Sequence, residues 1–303
     1  MTSPMVLIFN PNARGGRSEQ YLQEVRSQLE QRGLPYEVKP TERPGHATEI
    51  AKRSLEAGAR LIVSVGGDGT IHEVVNGMVH DDRPIVPGAT LGVLPAGTAC
   101  DFVKTFGIPT MPAHAVAHLD GPESFAIDLG SVRYEQDGRP HKRYFANVAE
   151  VGLGAEVVRR AIRAPRVLHP LNYHLAFWWS VVRHEPTEVE VDLTDRTYRG
   201  PMSNLVAANC QFFAGGMKIA PRAAPTDGVL DFQIQFPSKR EAIALLPKTY
   251  QGAHVPHPHI KEAKRVRVSI TSERPMPIEA DGQMLGHTPA IFEVVRNVIS
   301  LKV

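Results

Sequence analysis

Short apolar runs alternate with amphipathic segments over the first hundred residues, and this alternation limits the folds open to the chain. The runs MVLIF, YEVK, LIVSV and TLGVL have the length and composition of strands. After the first run, Leu22, Val25 and Leu29 share one helical face, and HATEIAKRSLEAGA and TIHEVVNGMV indicate two further helices. Strands that alternate with helices pair in parallel and are covered on both faces. The pattern predicts a doubly wound α/β domain, which we place at residues 1–127.

Period-two alternation marks the second half of the chain. The segments TEVEVDLT, SNLVAANC, VLDFQIQF and RVRVSIT alternate in the manner of antiparallel strands, and the closing segment AIFEVVRNVISLKV also indicates strand. This pattern predicts a β-rich second domain at residues 128–303. Whether its last strand returns to the first domain is left open.

Composition narrows the class of protein. The 303 residues are 42% hydrophobic and 22% charged, as in ordinary globular proteins. The N-terminal apolar run lacks the basic flank and the length of a signal sequence. The longest apolar stretch, LAFWWSVV, is shorter than the roughly 18 residues that span a bilayer. With two cysteines and a formal charge of +2, we expect a cytoplasmic protein with no nucleic-acid partner.

Three loops rich in glycine or turn residues follow predicted strands: NPNARGG, GGDGT and LPAGTACDF. Ligands of open α/β sheets bind at the carboxyl ends of the strands, so these loops should line one crevice. The glycines of residues 66–70 permit positive φ and close approach of backbone amides to an anion. Thr70 and Glu73 predict a capping box that opens the next helix, which favours phosphate binding. The alternative is a plain strand–helix turn in which Asp68 caps the backbone.

Three acids accompany these loops. Asp68 lies in GGDGT, Asp101 follows Gly97 and Thr98 in the next loop, and Asp128 ends the apolar run FAI. Carboxylates beside phosphate-binding loops are suited to Mg²⁺. Taken singly, each acid is more often a helix cap or a turn residue.

The sequence VGGDGTIHEVVNGM, with FNPNARGG before it and LGVLPAGTACDF after it, resembles the catalytic domain of the diacylglycerol kinase family. That family includes bacterial lipid kinases and the sphingosine and ceramide kinases. The similarity continues in order through DLG, FANVAEVGLGAEV, GGMKIAPRAAPTDGVLDF and IEADGQ. It implies transfer of the γ-phosphoryl group of ATP to a lipid hydroxyl, with diacylglycerol as the default acceptor. It also implies a phosphofructokinase-like nucleotide domain, a C-terminal β-sandwich and a cleft between them.

The resemblance implies roles for individual residues. Asp68, Asp101 and Asp128 would join an acid–water–Mg²⁺ network. In TDGVLD, Asp227 would bind a structural Mg²⁺ with the backbone carbonyls of Ala224 and Val229; the alternative there is an ordinary Asp-Gly turn. Nucleotide or phosphate contacts are implied for Asn10, Pro11, Asn12, Thr41, Gly66, Gly67, Asp68, Gly69, Thr70, Glu73, Gly97 and Thr98.

The chain departs from the family pattern at two positions. Cys100 replaces the usual asparagine, and Gln283 replaces the glutamate that serves as proton acceptor in the bacterial branch. Glutamine can hydrogen-bond a hydroxyl but cannot take its proton. Because the glycine-loop aspartate is the base in the sphingosine kinase branch, Asp68 is the first substitute and Asp281 the second. The catalytic candidates are therefore Asp68, Asp281, Gln283, Asp101 and Asp128.

Gln283 also keeps a second function open, a catalytically weak or inactive nucleotide- or lipid-binding sensor. An NAD kinase shares the GGDGT loop, but no later segment resembles the NAD-binding motif of that family.

A basic and aromatic region lies between the segments FANVAEVGLGAEV and GGMKIAPRAAPTDGVLDF. Its residues are Arg159, Arg160, Arg163, Arg166, Trp178 and Trp179. Arginines with tryptophans can hold a protein on an anionic membrane surface. The alternative is a solvated basic face beside a core helix. The expected partners are a lipid alcohol and a peripheral membrane surface, and a homodimer is left open.

Overall fold

The structure is a computed structural model that describes residues 4–13, 18–97, 99–163 and 172–303. The elements of its N-terminal part are β1 (Met5–Phe9), α1 (Ser18–Gln31), β2 (Tyr36–Pro40), α2 (His46–Glu56), β3 (Leu61–Gly66), α3 (Asp68–Met78), β4 (Val79–His80), β5 (Arg83–Pro84), β6 (Thr90–Pro95), α4 (Asp101–Phe106) and α5 (Pro112–Asp120).

Four parallel strands form the centre of this part, in the order β6–β3–β1–β2. Alternate residues of β1 face opposite sides of the sheet. Leu7 packs with Leu22 of α1 and Val116 of α5, whereas Ile8 packs with residues of α2 and α3. Helices therefore cover both faces, and the predicted α/β fold is confirmed.

Antiparallel strands dominate the rest of the chain. Its elements are β7 (Ser124–Gln136), β8 (Arg139–Phe145), β9 (Val148–Gly152), α6 (Leu153–Arg163), α7 (Asn172–Arg183), β10 (Thr187–Asp192), β11 (Thr197–Met202), β12 (Asn204–Ala208), β13 (Leu230–Gln235), α8 (Lys239–Tyr250), β14 (Ile260–Arg265), β15 (Arg267–Ser272), β16 (Pro277–Ala280) and β17 (Gln283–Lys302). One run of neighbours is β14–β13–β12–β9–β16–β17, and β10, β11 and β15 join through β17. Phe232 and Phe292 contact each other in the hydrophobic core that these strands form.

The last strand, β17, connects the two parts. It pairs with β16, β15 and β7 in antiparallel fashion and then with β6 in parallel, where Leu301 lies opposite Leu91. The chain thus returns to the N-terminal sheet at its end. The boundary placed between residues 127 and 128 falls within β7 and stays a prediction.

Helix α7 is buried on one side. Ala176 and Val181 are buried, while Trp178 and Trp179 are 45% and 51% exposed. Within the described residues, no helix combines the length and hydrophobicity needed to cross a membrane.

Candidate active site

The three predicted loops meet at the carboxyl ends of β1, β3 and β6. Asn10 follows β1, and its Nδ2 atom donates a hydrogen bond to Oγ1 of Thr70, at 3.3 Å. Gly97, after β6, lies so close to the GGDGT loop that a side chain there would have its Cβ 2.4 Å from Cα of Gly67. Thr41 follows β2 and donates its backbone N–H to the carbonyl of Phe9, at 2.8 Å. The sheet therefore brings together loops that are distant in sequence.

Close packing explains the glycines of the GGDGT loop. A Cβ at Gly66 would lie 2.2 Å from Oγ1 of Thr70, and one at Gly69 would lie 3.1 Å from Nε2 of Gln283. None of residues 66, 67 and 69 has a positive φ. The expectation of positive φ in this loop is thus wrong; Gly66 requires the absence of a side chain, and Gly69 lies close to the flexible end of Gln283.

The predicted capping box is also wrong. Helix α3 begins at Asp68, two residues before Thr70, and Gly67 caps it without a side-chain hydrogen bond. The carboxylate of Glu73 instead accepts hydrogen bonds from the backbone N–H groups of Gly45 and Ala47, at 2.9 and 3.1 Å. Glu73 thus holds the start of α2 and the segment that follows Thr41. Its contact with phosphate stays a prediction.

The first loop extends toward solvent. Asn12 donates its N–H to Oδ1 of Asn10, and the carbonyl of Pro11 accepts a hydrogen bond from Oγ of Ser18. Pro11 and Asn12 are exposed. Thr98 and Arg166 lie outside the described residues.

A cleft of about 710 Å³ separates the glycine loops from the C-terminal part. Residues from both parts form its walls, including Lys104, Asn147, Tyr250 and Glu279. Six residues predicted from the sequence also line it: Gly67, Asp68, Gly69, Asp101, Asp281 and Gln283.

Asp68 projects from the first turn of α3 toward the next loop. Its two carboxylate oxygens accept the backbone N–H groups of Asp101 and Phe102, both at 3.0 Å. Burial raises the pKa of Asp68 to about 6; these two hydrogen bonds lower it and the charges of Asp101 and Asp281 raise it. Asp68 therefore does cap a helix, α4, while it also lines the cleft.

Asp101 links the second loop to the C-terminal part. Its Oδ1 atom accepts from Nζ of Lys104 at 2.6 Å, and Oδ2 accepts from the N–H of Gly215 at 2.7 Å. Cys100, just before it, has φ 46° and ψ 57°. Asparagine tolerates this left-handed conformation better than most residues, so cysteine carries a conformational cost here.

Asp281 is buried and accepts four hydrogen bonds. Three come from the successive backbone N–H groups of Ala146, Asn147 and Val148, at 2.9–3.1 Å. The fourth partner is Nδ1 of His72, 3.1 Å from Oδ2. Because its lone pairs are occupied, Asp281 serves to hold the 281–283 loop against α3 and β9.

Asp128 does not join the other acids. Its carboxylate accepts the N–H groups of Gly228 and Asn297, both at 2.7 Å. It is not one of the residues that line the cleft. No group of three or more His, Cys, Asp or Glu side chains within the described ranges is arranged to hold a metal ion. The implied three-acid network is therefore reduced to Asp68 and Asp101; Lys104 already pairs with Asp101, and an ion held there with the help of phosphates stays a prediction.

The implied metal site in TDGVLD does not fit the structure. Asp227 lies 2.8 Å from Nζ of Lys264, which also lies 3.3 Å from Asp231. The carbonyl of Ala224 accepts the N–H of Asp227, and Val229 donates its own N–H to the Asp227 carboxylate. One ammonium group thus already pairs with both acids at this turn, and we assign no Mg²⁺ to it.

Two family models match the chain. The diacylglycerol kinase catalytic domain matches residues 4–132. The YegS C-terminal NAD kinase beta sandwich-like domain matches residues 147–303, more than half of the chain. The chain belongs to the diacylglycerol kinase catalytic-domain family. The predicted family, two-domain fold and enzyme class, a lipid kinase, are confirmed.

Relatives in this family match over most of their length. A diacylglycerol kinase of Bacillus subtilis (strain 168) is 29% identical, with 94% of this chain and 91% of the relative covered. A probable lipid kinase YegS-like of Stenotrophomonas maltophilia (strain K279a) is 28% identical, with 93% and 91% covered. The crystal structure of a diacylglycerol kinase from Bacillus anthracis str. Sterne has a TM-score of 0.72 at 19% identity and covers 99% of this chain and 96% of that chain. This last similarity concerns the fold.

In this diacylglycerol kinase family member an apolar cavity of about 170 Å³ adjoins the cleft. Helices α6, α7 and α8 contribute Val157, Phe177 and Leu246 to its wall. Four residues line both cavities: Val158, Phe213, Ala214 and Tyr250. The cleft with the phosphate-type loops and the apolar cavity are therefore neighbours that share one wall.

Several residues of this site were not predicted from the sequence. His72 and Asn76 of α3 bind the C-terminal part: Asn76 donates to the carbonyl of Tyr144 and accepts its N–H, at 2.8 and 3.0 Å. Glu150 lines the apolar cavity and Glu279 lines the cleft. A signal existed for Glu150, because a single acid inside the apolar run NVAEVG is unusual for a buried strand.

Proposed function

We propose that this chain is an ATP-dependent lipid kinase that transfers the γ-phosphoryl group to a lipid hydroxyl, with diacylglycerol as the default acceptor. One observation carries the proposal: the cleft with the GGDGT loop and the apolar cavity share the walls Val158, Phe213, Ala214 and Tyr250. A kinase for lipids needs a polar donor site and an apolar acceptor site that meet at the transferred group. The names of the relatives point to the same chemistry.

On the donor side, the proposed contacts are the amide groups of the glycine loops and the positive end of α3. Lys104, which also lines the cleft, adds a cation beside Asp101. When Mg²⁺ is bound with ATP, it neutralises charge on the phosphates. The residues suited to hold it there are Asp68 and Asp101.

We propose that Asp68 accepts the proton of the lipid hydroxyl. Its pKa, raised by burial to about 6, keeps the carboxylate ionised but basic at neutral pH. Asp281 is less suited because its oxygens already accept four hydrogen bonds. Gln283 lies against Gly69 and is proposed to orient the hydroxyl.

The acceptor is proposed to arrive from a membrane surface. Leu175, Trp178, Trp179 and Val182 of α7 are between 45% and 62% exposed, and the guanidinium of Arg183 lies 4.3 Å from the Trp179 ring. Arg159 and Arg160 are paired with Glu156, which weakens their part in the basic cluster. The exposed side chains of α7, together with Arg163 and Arg183, are the proposed contact with lipid.

A binding assay with vesicles tests this surface. We expect Trp178→Ser with Trp179→Ser to reduce sedimentation with anionic vesicles severalfold, and Val266→Ser, at another exposed apolar residue, to leave it unchanged. Equal sedimentation of both variants would contradict the assignment. A cytoplasmic location follows as a proposal, and light scattering would establish whether a homodimer forms.

The decisive experiment for the activity uses purified chain, γ-labelled ATP, Mg²⁺ and dioleoylglycerol in mixed micelles. We expect labelled phosphatidic acid. The second candidate, a sensor without transferase activity, is favoured by Gln283 and predicts ATP binding without transfer to any lipid. Transfer to NAD, the least favoured alternative, would overturn the lipid kinase.

A further inference from the structure

Two acidic side chains, Glu150 and Glu279, lie opposite each other on the paired strands β9 and β16. Each is 2% exposed. Two carboxylates at one buried position repel each other and are poorly solvated. Such a position requires a counter-charge, a shared proton or a ligand that supplies hydrogen-bond donors.

The protein supplies few donors to this Glu150–Glu279 pair. Nδ2 of Asn204 donates to Oε1 of Glu150 at 2.8 Å, and the N–H of Gly282 donates to Oε2 of Glu279 at 2.8 Å. The other oxygen of Glu150, Oε2, is buried without a hydrogen-bond partner among the described residues. No lysine, arginine or histidine of those residues forms an ion pair with either carboxyl.

The surroundings hold Glu150 in one orientation. The N–H of Gly154 donates to Oδ1 of Asn204 at 3.0 Å, which directs the amide nitrogen of Asn204 at Glu150. A Cβ at Gly154 would lie 2.1 Å from Oε2 of Glu150, so only glycine allows this approach. The unpartnered oxygen is thus fixed in place by its neighbours.

The pair also lies between the two cavities. Glu150 lines the apolar cavity, and Glu279 lines the cleft with Asp68 and Gln283. A lipid whose chain fills the apolar cavity and whose hydroxyl reaches the cleft would pass its polar head beside Glu150. Burial raises the pKa of Glu150, and burial together with the charge of Glu150 raises the pKa of Glu279. A carboxyl pair that retains a proton still has lone pairs that accept hydrogen bonds from a ligand.

We propose that the Glu150–Glu279 pair binds a second hydrogen-bond donor of the acceptor lipid, a hydroxyl or an ammonium group beside the hydroxyl that is phosphorylated. This inference rests on the proposed lipid kinase function. A diacylglycerol has one hydroxyl, the reacting one, and leaves Oε2 of Glu150 unpartnered. A monoacylglycerol or a long-chain amino alcohol brings the missing donor.

The size of the preference for a lipid with a second donor follows from the free-energy cost of leaving a buried acceptor, Oε2 of Glu150, without a hydrogen bond. A site with such a group discriminates against a ligand that lacks the donor by about tenfold to a hundredfold. A hydroxyl and an ammonium group can each donate to Oε2. Comparison of a monoacylglycerol with a long-chain amino alcohol therefore identifies which of the two groups the site binds better.

The experiment compares dioleoylglycerol, monooleoylglycerol and sphingosine as acceptors in mixed micelles. We expect kcat/KM of the wild type to be about tenfold to a hundredfold higher for one or both lipids with a second donor. Glu150→Leu should abolish this preference, so that the ratio of kcat/KM between the lipids with a second donor and dioleoylglycerol falls to about one. Glu150→Gln should weaken it as well, because the single amide oxygen accepts from Asn204 and the NH₂ group in place of Oε2 can only donate. Glu190→Gln, at an exposed acid on β10, is the matched control.

Binding of the same lipids, measured by tryptophan fluorescence, tests the Glu150–Glu279 pair separately from the proposed kinase activity. Phosphorylation of all three lipids with equal kcat/KM, or a preference that survives in Glu150→Leu, overturns the inference and leaves the kinase standing. A binding preference lost in Glu150→Leu, without phosphorylation of any lipid, supports the pair and removes the kinase.

Discussion

Nδ1 of His72 lies 3.1 Å from Oδ2 of Asp281, and both side chains are buried. His72 belongs to the helix that starts at the GGDGT loop, and Asp281 belongs to the loop that carries Gln283. This contact joins the two walls of the cleft. Asp281 adds three backbone hydrogen bonds from residues 146–148, so one side chain sets the position of β9, α3 and the 281–283 loop.

Replacement of Asp281 by asparagine should therefore destabilise the fold. Asparagine keeps one acceptor oxygen but turns an NH₂ group toward the backbone donors, which costs about 1–3 kcal/mol. Urea unfolding measures this loss. Asp137→Asn is the matched control, since Asp137 has a positive φ of 51°, like Asp281 with 48°, but is exposed. For this control we expect a change in the free energy of unfolding within about 0.5 kcal/mol. Equal unfolding midpoints would show that the hydrogen bonds of Asp281 contribute nothing.

Asp68→Asn should reduce kcat by about 10²–10⁴-fold while the protein stays folded. The carboxylate must be ionised to accept a proton, and its pKa is about 6. In the wild type, kcat/KM should therefore fall once acid protonates this carboxylate, at a pH that bound Mg²⁺ places below the value of the metal-free protein. Asp81→Asn, whose side chain is 89% exposed, should leave both the rate and the pH profile unchanged. Wild-type turnover of Asp68→Asn would remove its role as base.

Gln283→Glu should raise kcat, because it places a carboxylate beside Gly69 on the wall opposite Asp68. Gln283→Ala should lower kcat, since the hydroxyl loses a hydrogen-bond partner. Steady-state rates at saturating ATP test both. A lower rate for Gln283→Glu would mean that the site is adapted to glutamine and that added negative charge opposes the phosphates.

The strands and the three loops were predictable because they depend on local periodicity. LIVSV is buried, and apolar except for Ser64, because helices cover both faces of β3. The parallel order of the strands then brings the loops together. Local sequence therefore indicates the place of the site.

The partners of the charged residues were not predictable in the same way. Glu73 looked like part of a capping box, but α3 starts earlier and its carboxylate reaches Gly45 and Ala47 of a distant segment. Asp128 binds Gly228 and Asn297, at separations of 100 and 169 residues. Such pairings are fixed by tertiary packing, which no short motif encodes.

Lys264 offers a test of the turn at residues 224–229. Without nucleotide, we expect Mg²⁺ or a chelator to leave the melting temperature of the wild type unchanged, because the ammonium group of Lys264 already pairs with both Asp227 and Asp231. Lys264→Ala should melt at a lower temperature and regain stability with Mg²⁺, since two carboxylates then lack a cation. Lys52→Ala, on the exposed side of α2, is the control. A wild type that is itself stabilised by Mg²⁺ without nucleotide would restore the metal site.

Glu150 should make stability depend on pH. Burial raises its pKa from 4.5 to about 7, so between these values the folded state binds more protons than the unfolded state. The free energy of unfolding must therefore fall as pH rises across this window. Glu150→Gln cannot ionise, and we expect it to reduce the difference between urea unfolding at about pH 5 and about pH 8, with the remainder due to Glu279 and Asp68, whereas Glu190→Gln should retain the wild-type difference. Parallel pH dependence in wild type and Glu150→Gln would mean that Glu150 stays ionised in the folded protein, with a donor that the fold itself provides.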